Sequence, residues 1–252
     1  PVIQHAEDAH LTGKGVMHEG RVSTELGFKG IPAASESVIV ARDLLLAELT
    51  GGHYHVAHVS TAETVQLVRQ AKMRGLLVTC EAAPHHFALT DEAVRSFDTN
   101  TKMSPPLRSS RHVEAVKAGL RDGTVDAIAT DHAPHTIQDK EVEFDYAANG
   151  VIGLETAFGL TVSTLVDGEV LTLPQAIARL TSEPARIFGL PKGTLSIGAD
   201  ADVTIVDPAR EWVVDITKSA SKSRNSPFHG WKLRGQVLAT IVSGKIAWEL
   251  QG

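Results

Sequence analysis

Three short apolar runs each end in imidazole, two of them with carboxylate beside it, and that recurrence leaves few folds open to the chain. Val2-Ile3-Gln4 delivers His5-Ala6-Glu7-Asp8, and the alternating run from His53 to Val59 carries His58. Val125 to Thr130 delivers Asp131-His132-Ala133-Pro134-His135. Amphipathic helical stretches lie between these runs. Residues 36–49 offer Val38, Ile39, Leu45, Leu46 and Leu49 for a core face. Ser60-Thr61-Ala62-Glu63 reads as a capping box led by Ser60, opening a helix with Val65 and Val68 that stops at Gly75. Leu76 to Cys80 reads as the next strand, and Ser110 as the cap of a helix carrying Val113, Val116 and Leu120 up to Gly123. Strands alternating with crossover helices build a parallel sheet, whose strands all point one way. In a β/α barrel the site forms at the C-terminal strand ends. The clusters at 5, 58 and 131 are therefore expected on one face, although 53 and 73 residues separate them.

The texture changes late in the chain. Pro174 and Pro184 sit just inside two short helices, and Gly189 closes the second. After Gly193 the sequence becomes β-rich without helices: Asp202–Val206, Trp212–Asp215 and a Val237–Ile246 hairpin turning at Ser243-Gly244. A boundary near 193 divides an α/β body, 1–193, from a small β-domain, 194–252.

Imidazole with carboxylate is the ligand set of zinc or a similar borderline divalent ion. A single strand-end histidine is more often a hydrogen-bonded structural residue, and that reading stays open for each one. Three such ends in one parallel sheet favour a site. Of the 12 histidines, His53, His55, His85 and His86 read as structural or supporting. The single cysteine, Cys80, lies within a strand and reads as a buried small residue, and its solitude excludes a disulfide framework and suits a reducing cytoplasm. With 24 basic and 30 acidic side chains and no basic cluster, the chain is no nucleic-acid scaffold. No apolar run approaches the roughly 20 residues of a membrane span, and no leader-like segment opens the sequence. Nucleophile elbow, Walker loop and dinucleotide fingerprint are absent, and Gly13-Lys14-Gly15 lacks the strand–turn–helix setting such a loop needs.

The sequence resembles the C-terminal three-fifths of a bacterial class I dihydroorotase, a family in the cyclic-amidohydrolase branch of the amidohydrolases. The segments that carry the resemblance are His-Ala-Glu-Asp at 5–8, Ala-His-Val-Ser-Thr at 57–61, Pro-His-His at 84–86 and Lys-Met-Ser-Pro-Pro-Leu-Arg at 102–108. They continue with Ala-Thr-Asp-His-Ala-Pro-His at 129–135, Gly-Leu-Glu-Thr at 153–156, Gly-Ala-Asp-Ala-Asp at 198–202 and Ser-Arg-Asn-Ser-Pro-Phe at 223–228.

The resemblance implies a partial TIM-type (β/α)8 barrel, strands five to eight with their helices, followed by a β-sandwich portion. It implies zinc-dependent, reversible hydrolysis of the cyclic amide of dihydroorotate to N-carbamoyl-aspartate, a step of pyrimidine synthesis. His5 and His58 would hold one zinc of a binuclear site. Asp131 would ligate the other and shuttle the proton as general acid/base. His135 would take the substrate carboxylate, Asn149 and Gly150 would contact the ring through the backbone, and Ser104 stands where the family usually has a substrate-binding Asn. The Ala-Ala-Asn before Gly150 replaces the commoner Ala-Pro-Phe. Sister activities on the same scaffold are allantoinase and dihydropyrimidinase or hydantoinase, and a non-catalytic partner that scaffolds aspartate transcarbamoylase is the rival of another class. A homodimer is also implied. The family's His-x-His-x-Arg, its bridging carboxylate and an early Asn match nothing here, so an N-terminal segment or fragment is expected to complete the barrel and its metal site.

Overall fold

The structure is a computed structural model that describes residues 1–250. Its strands are β1 (Val2–Gln4), β2 (Met17–His18), β3 (Gly30–Ile31), β4 (Tyr54–Val56), β5 (Val78–Ala82), β6 (Ala127–Ile128), β7 (Val203–Val213), β8 (Lys232–Val242) and β9 (Lys245–Glu249). β1, β4, β5 and β6 form one sheet in that order, all parallel, as the strand–helix alternation requires. β2 and β3 make a two-stranded parallel ribbon in the excursion after β1.

Helices Ala34–Thr50, Ala62–Met73 and Ser110–Asp122 are the crossovers between these strands. They bury the core side chains Val40, Leu44, Val65, Val68, Val116 and Leu120 against Val56 and Cys80 of the sheet. Each such aliphatic side chain contributes about 1.5–3 kcal/mol by leaving water. Gly119 lets two helices touch, since a Cβ there would stand 2.9 Å from both Val65 and Val125.

The first crossover helix buries a different stripe from the one the apolar residues suggest. Ile39, Val40, Leu44 and Ala47 face inward with Ser35 and Glu36, whereas Val38, Leu45, Leu46 and Leu49 stay exposed. Buried Glu36 sets that phase, because its carboxylate is tied to the turn after β4. The capping box shifts as well. Thr61, not Ser60, is the N-cap of Ala62–Met73 and accepts from the Thr64 amide, while the Ser60 hydroxyl donates to Glu36 and accepts from Arg108. Similarly, Ser109 rather than Ser110 precedes the next helix, which Gly123 ends in a left-handed conformation.

Beyond β6, helix Ala157–Thr161 runs on through one π-turn, Val162–Val166, and helices Leu173–Leu180 and Ser182–Phe188 follow. The C-terminal strands pair antiparallel in the order β7-β8-β9. The two segments expected at Asp202–Val206 and Trp212–Asp215 belong to one long strand, interrupted in register between Asp207 and Glu211. Ser243 and Gly244 turn the β8–β9 hairpin, both with positive φ as a tight hairpin demands. This sheet lies on the Ala157–Val166 helix. Val214, Phe228 and Leu233 share a core with Leu89, Met103, Leu107, Val151 and Leu160 of the body. No helix among the described residues is long and apolar enough to cross a membrane.

Candidate active site

His5 follows β1 immediately, and His58 and Asp131 come within three residues of the ends of β4 and β6. His5 Nδ1 and His58 Nε2 face each other at 3.0 Å, with the rings edge-on at 4.8 Å between centroids. His58 (φ 32°) and Asp131 (φ 47°) both adopt left-handed backbone, a conformation that costs a non-glycine residue about 1–3 kcal/mol and that clusters at functional sites. Burial pushes the His58 pKa down, the Asp131 carboxylate opposes that shift, and His5 adds to it. His58 is thus a neutral imidazole at neutral pH, able to offer a lone pair.

The other side of His5 is anchored. Its Nε2 meets Glu7 Oε2 at 2.9 Å, and the same oxygen accepts from Ser104 Oγ at 3.3 Å. Burial would raise the Glu7 pKa, but the hydrogen bond and charge of His5, together with the Ser104 hydroxyl, hold it below its ordinary value. A small pocket opens here, walled by Glu7, Ser35, Glu36, Ser104 and Arg108. Ser104, from the Lys-Met-Ser-Pro-Pro segment, thereby joins the imidazole pair.

A second group forms at the far end of the same loop as Asp131. His135 Nε2 lies 2.8 Å from the Asn149 carbonyl, and the His135 amide donates to Asn225 Oδ1 at 3.2 Å. Asn149 is exposed and Gly150 buried beside it. Gly150 has φ 138°, and a Cβ there would come within 2.6 Å of Ala133 Cβ and 3.0 Å of His135 Nε2. Gly150→Ala is therefore expected to displace His135 and to cost about 1–3 kcal/mol of stability. Urea denaturation measures it, and a loss below about 0.5 kcal/mol would contradict the close packing of this turn.

The remaining histidines divide as their environments dictate. His53 Nε2 and His55 Nδ1 both meet Thr79 Oγ1, at 3.0 and 2.7 Å, which makes them sheet-holding residues. His85 and His86 are buried with rings 4.3 Å apart, and burial lowers both pKa values, that of His86 to about 4. Cys80 is fully buried and its thiol pKa is pushed far up by burial.

The residues that the motifs did not single out are Glu36, Arg108, Lys140 and Asn225. Glu36 accepts from the Ser60 and Thr61 amides at 3.1–3.2 Å, and from both hydroxyls. Arg108 Nε donates to the same Ser60 hydroxyl at 3.1 Å, and its Nη1 donates to the Ile31 carbonyl at 2.9 Å. Burial would raise the Glu36 pKa, yet the Arg108 charge and the Ser60 hydrogen bonds keep it lowered. This buried assembly clamps the turn directly after His58. Arg108 and Asn225 stand inside segments already noted, Lys-Met-Ser-Pro-Pro-Leu-Arg and Ser-Arg-Asn-Ser-Pro-Phe. For Glu36 no signal existed, since an acid in a first helical turn reads as a solvated partner of the helix dipole.

The donor set suits a divalent cation in part. Two facing imidazole nitrogens can share only one hydrogen, His58 Nδ1 is buried without a partner, and Asp131 acts electrostatically on the same ring. Among the described residues, however, no group of three or more His, Cys, Asp or Glu is arranged to hold a metal ion. These side chains fit one part of a metal centre.

The sequence matches the amidohydrolase family model over residues 1–247. It is 55% identical over 248 residues to a dihydroorotase of Syntrophus aciditrophicus and 58% identical over 248 residues to one of Pelotomaculum thermopropionicum, covering 98% of this chain in each case. The chain spans about 58% of the length of these curated relatives. Among solved structures it resembles the L-hydantoinase (dihydropyrimidinase) of Arthrobacter aurescens, with a TM-score of 0.87 and 29% identity over 98% of this chain and 56% of that one. A dihydropyrimidinase of Brevibacillus agri, at 23% identity and a TM-score of 0.86, shares the fold. The parallel half-barrel, its strand-end imidazoles and a family match along almost the whole sequence agree, and the chain belongs to the amidohydrolase family.

Proposed function

We propose that this chain forms part of a metal-dependent dihydroorotase, which opens the cyclic amide of dihydroorotate reversibly to N-carbamoyl-aspartate. The observation that carries the reading is the 55–58% identity to dihydroorotases over 98% of the chain. In this reading His5, His58 and Asp131 hold zinc, completed by ligands from the part of the relatives' length that this chain does not match. Zinc, when bound, would polarise the ring carbonyl and activate water. Asp131 moves the proton between the incoming water and the departing ring nitrogen. Glu7 orients His5 through Nε2 and is itself steadied by Ser104. His135, with the backbone of Asn149 and Gly150, receives the substrate's exocyclic carboxylate and ring edge. The division near residue 193, a homodimer, contact with aspartate transcarbamoylase and a cytoplasmic setting belong to the same proposal.

The test is a substrate panel on the chain completed with the segment its relatives carry. Dihydroorotate should be turned over with kcat/KM about 10²-fold or more above allantoin, dihydrouracil or hydantoin. A preference for hydantoin or dihydrouracil would favour the hydantoinase-like reading that the solved structures offer, and no turnover with metal bound would favour the scaffold. His135→Ala should lower kcat/KM for dihydroorotate about 10- to 100-fold, the worth of one hydrogen bond to a charged group, with metal content unchanged. Loss of metal in that variant would instead make His135 a ligand.

A further inference from the structure

Beneath the Asn149–Gly150 turn lie two ammonium groups, those of Lys140 and Lys102, that no carboxylate among the described residues neutralises by direct contact. Lys140 is 4% exposed, and its Nζ donates to the carbonyls of Ala148 (2.8 Å), Gly150 (3.1 Å) and Lys102 (3.4 Å). Lys102 Nζ donates to the Asp145 carbonyl at 2.8 Å and stands 5.8 Å from the centre of the Phe144 ring. From the opposite side comes Asn225, 3% exposed. Its Nδ2 donates to the carbonyls of Ala133 (2.9 Å) and Gly150 (3.1 Å), and its Oδ1 accepts from the His135 amide (3.2 Å). The two lone pairs of the Gly150 carbonyl are thus taken by Lys140 and Asn225, while the Gly150 amide donates to the Lys102 carbonyl at 2.9 Å.

We infer that Lys140 and Asn225 are positioning residues for the anionic end of the substrate. They fix the Asn149–Gly150 backbone against His135, and the Lys140 charge favours a ring that carries a carboxylate. This rests on the dihydroorotase reading. A buried ammonium satisfied only by carbonyls costs free energy against a hydrated one, a cost that a nearby anionic ligand offsets. Consistent with that burial, the Lys140 pKa is lowered to about 8, with Asp98 opposing the shift and Lys102 adding to it. The hydrogen bonds connect three distant parts of the chain: the loop after β6, the Lys102 segment and the Asn225 segment. A local turn alone could not hold that geometry.

Lys140→Met and Asn225→Ser test the inference in the completed enzyme. Hydrogen–deuterium exchange at residues 146–152 should be about tenfold faster or more in each variant, with residues 54–59 unchanged. KM for dihydroorotate should rise about tenfold while kcat stays within about threefold and metal content is unchanged. A purely structural role would instead lower thermal stability and kcat together. Unchanged exchange, or an unchanged KM in both variants, overturns the inference. Should Lys140→Met fail to fold, Asn225→Ser decides it by the same measurements. If the unsubstituted enzyme does not act on dihydroorotate, the dihydroorotase reading fails, and exchange, which needs no substrate, still decides whether the two side chains hold the turn.

Discussion

Asp131→Asn should lower turnover of dihydroorotate by about 10² to 10⁴ in the completed enzyme and leave the fold intact. The fold survives because the backbone at 131 is left-handed, φ 47°, and Asn shares with Asp a tolerance for that region. The side chains are also isosteric. What the amide loses is the charge that opposes the lowered pKa of His58, and the ability to take up and release a proton at the reacting nitrogen. Steady-state kinetics with metal content and melting temperature measured on the same sample check this. A variant with wild-type metal that keeps more than about a tenth of the turnover would remove Asp131 from its proposed role, since general acid–base catalysis alone is worth more than that.

Glu36→Ala should destabilise the protein by about 3–5 kcal/mol, the cost of leaving a buried charge without its counterpart. Here that charge is Arg108, which reaches Glu36 through the Ser60 hydroxyl. The Ser60 and Thr61 amides would also lose their shared acceptor. Chemical denaturation measures the loss, and a value under about 1 kcal/mol would show that the clamp carries little energy. Arg108→Leu added to Glu36→Ala should recover part of it, because the uncompensated cation is then gone. The pH dependence has a fixed sign. A carboxyl whose folded pKa lies below its ordinary 4.5 contributes stability that is complete above that value and is lost as pH falls through the folded one. The clamp should therefore weaken only in acid. Because it holds the turn after His58, the substitution should also misplace that ring.

Elements and their chemistry were legible in the residues one by one. Alternating strand and helix patterns, the glycine stops at 75, 123 and 189 and the Ser243-Gly244 turn all follow from local propensity and steric rules. The strand-end places of His5, His58 and Asp131 were also legible, and the structure sets His5 against His58 with Asp131 acting electrostatically on the same ring. Tertiary structure decided what those patterns leave degenerate. The helix at 34–50 has apolar residues on more than one face, and only the long-range bonds from Glu36 to Ser60 and Thr61 select which stripe is buried. The cap itself falls one residue later than expected, on Thr61. The left-handed backbone at His58 and Asp131 could not be read from residue type, since Asp and His tolerate that region without requiring it; surrounding contacts must impose it. Likewise Lys140 and Asn225, 85 residues apart, meet at one carbonyl that neither neighbourhood announces. Short-range order is written in composition and period, because the interacting atoms lie within a turn of one another. The meeting of buried polar groups far apart in the chain is settled only when the closed fold brings each of them the partners that satisfy it.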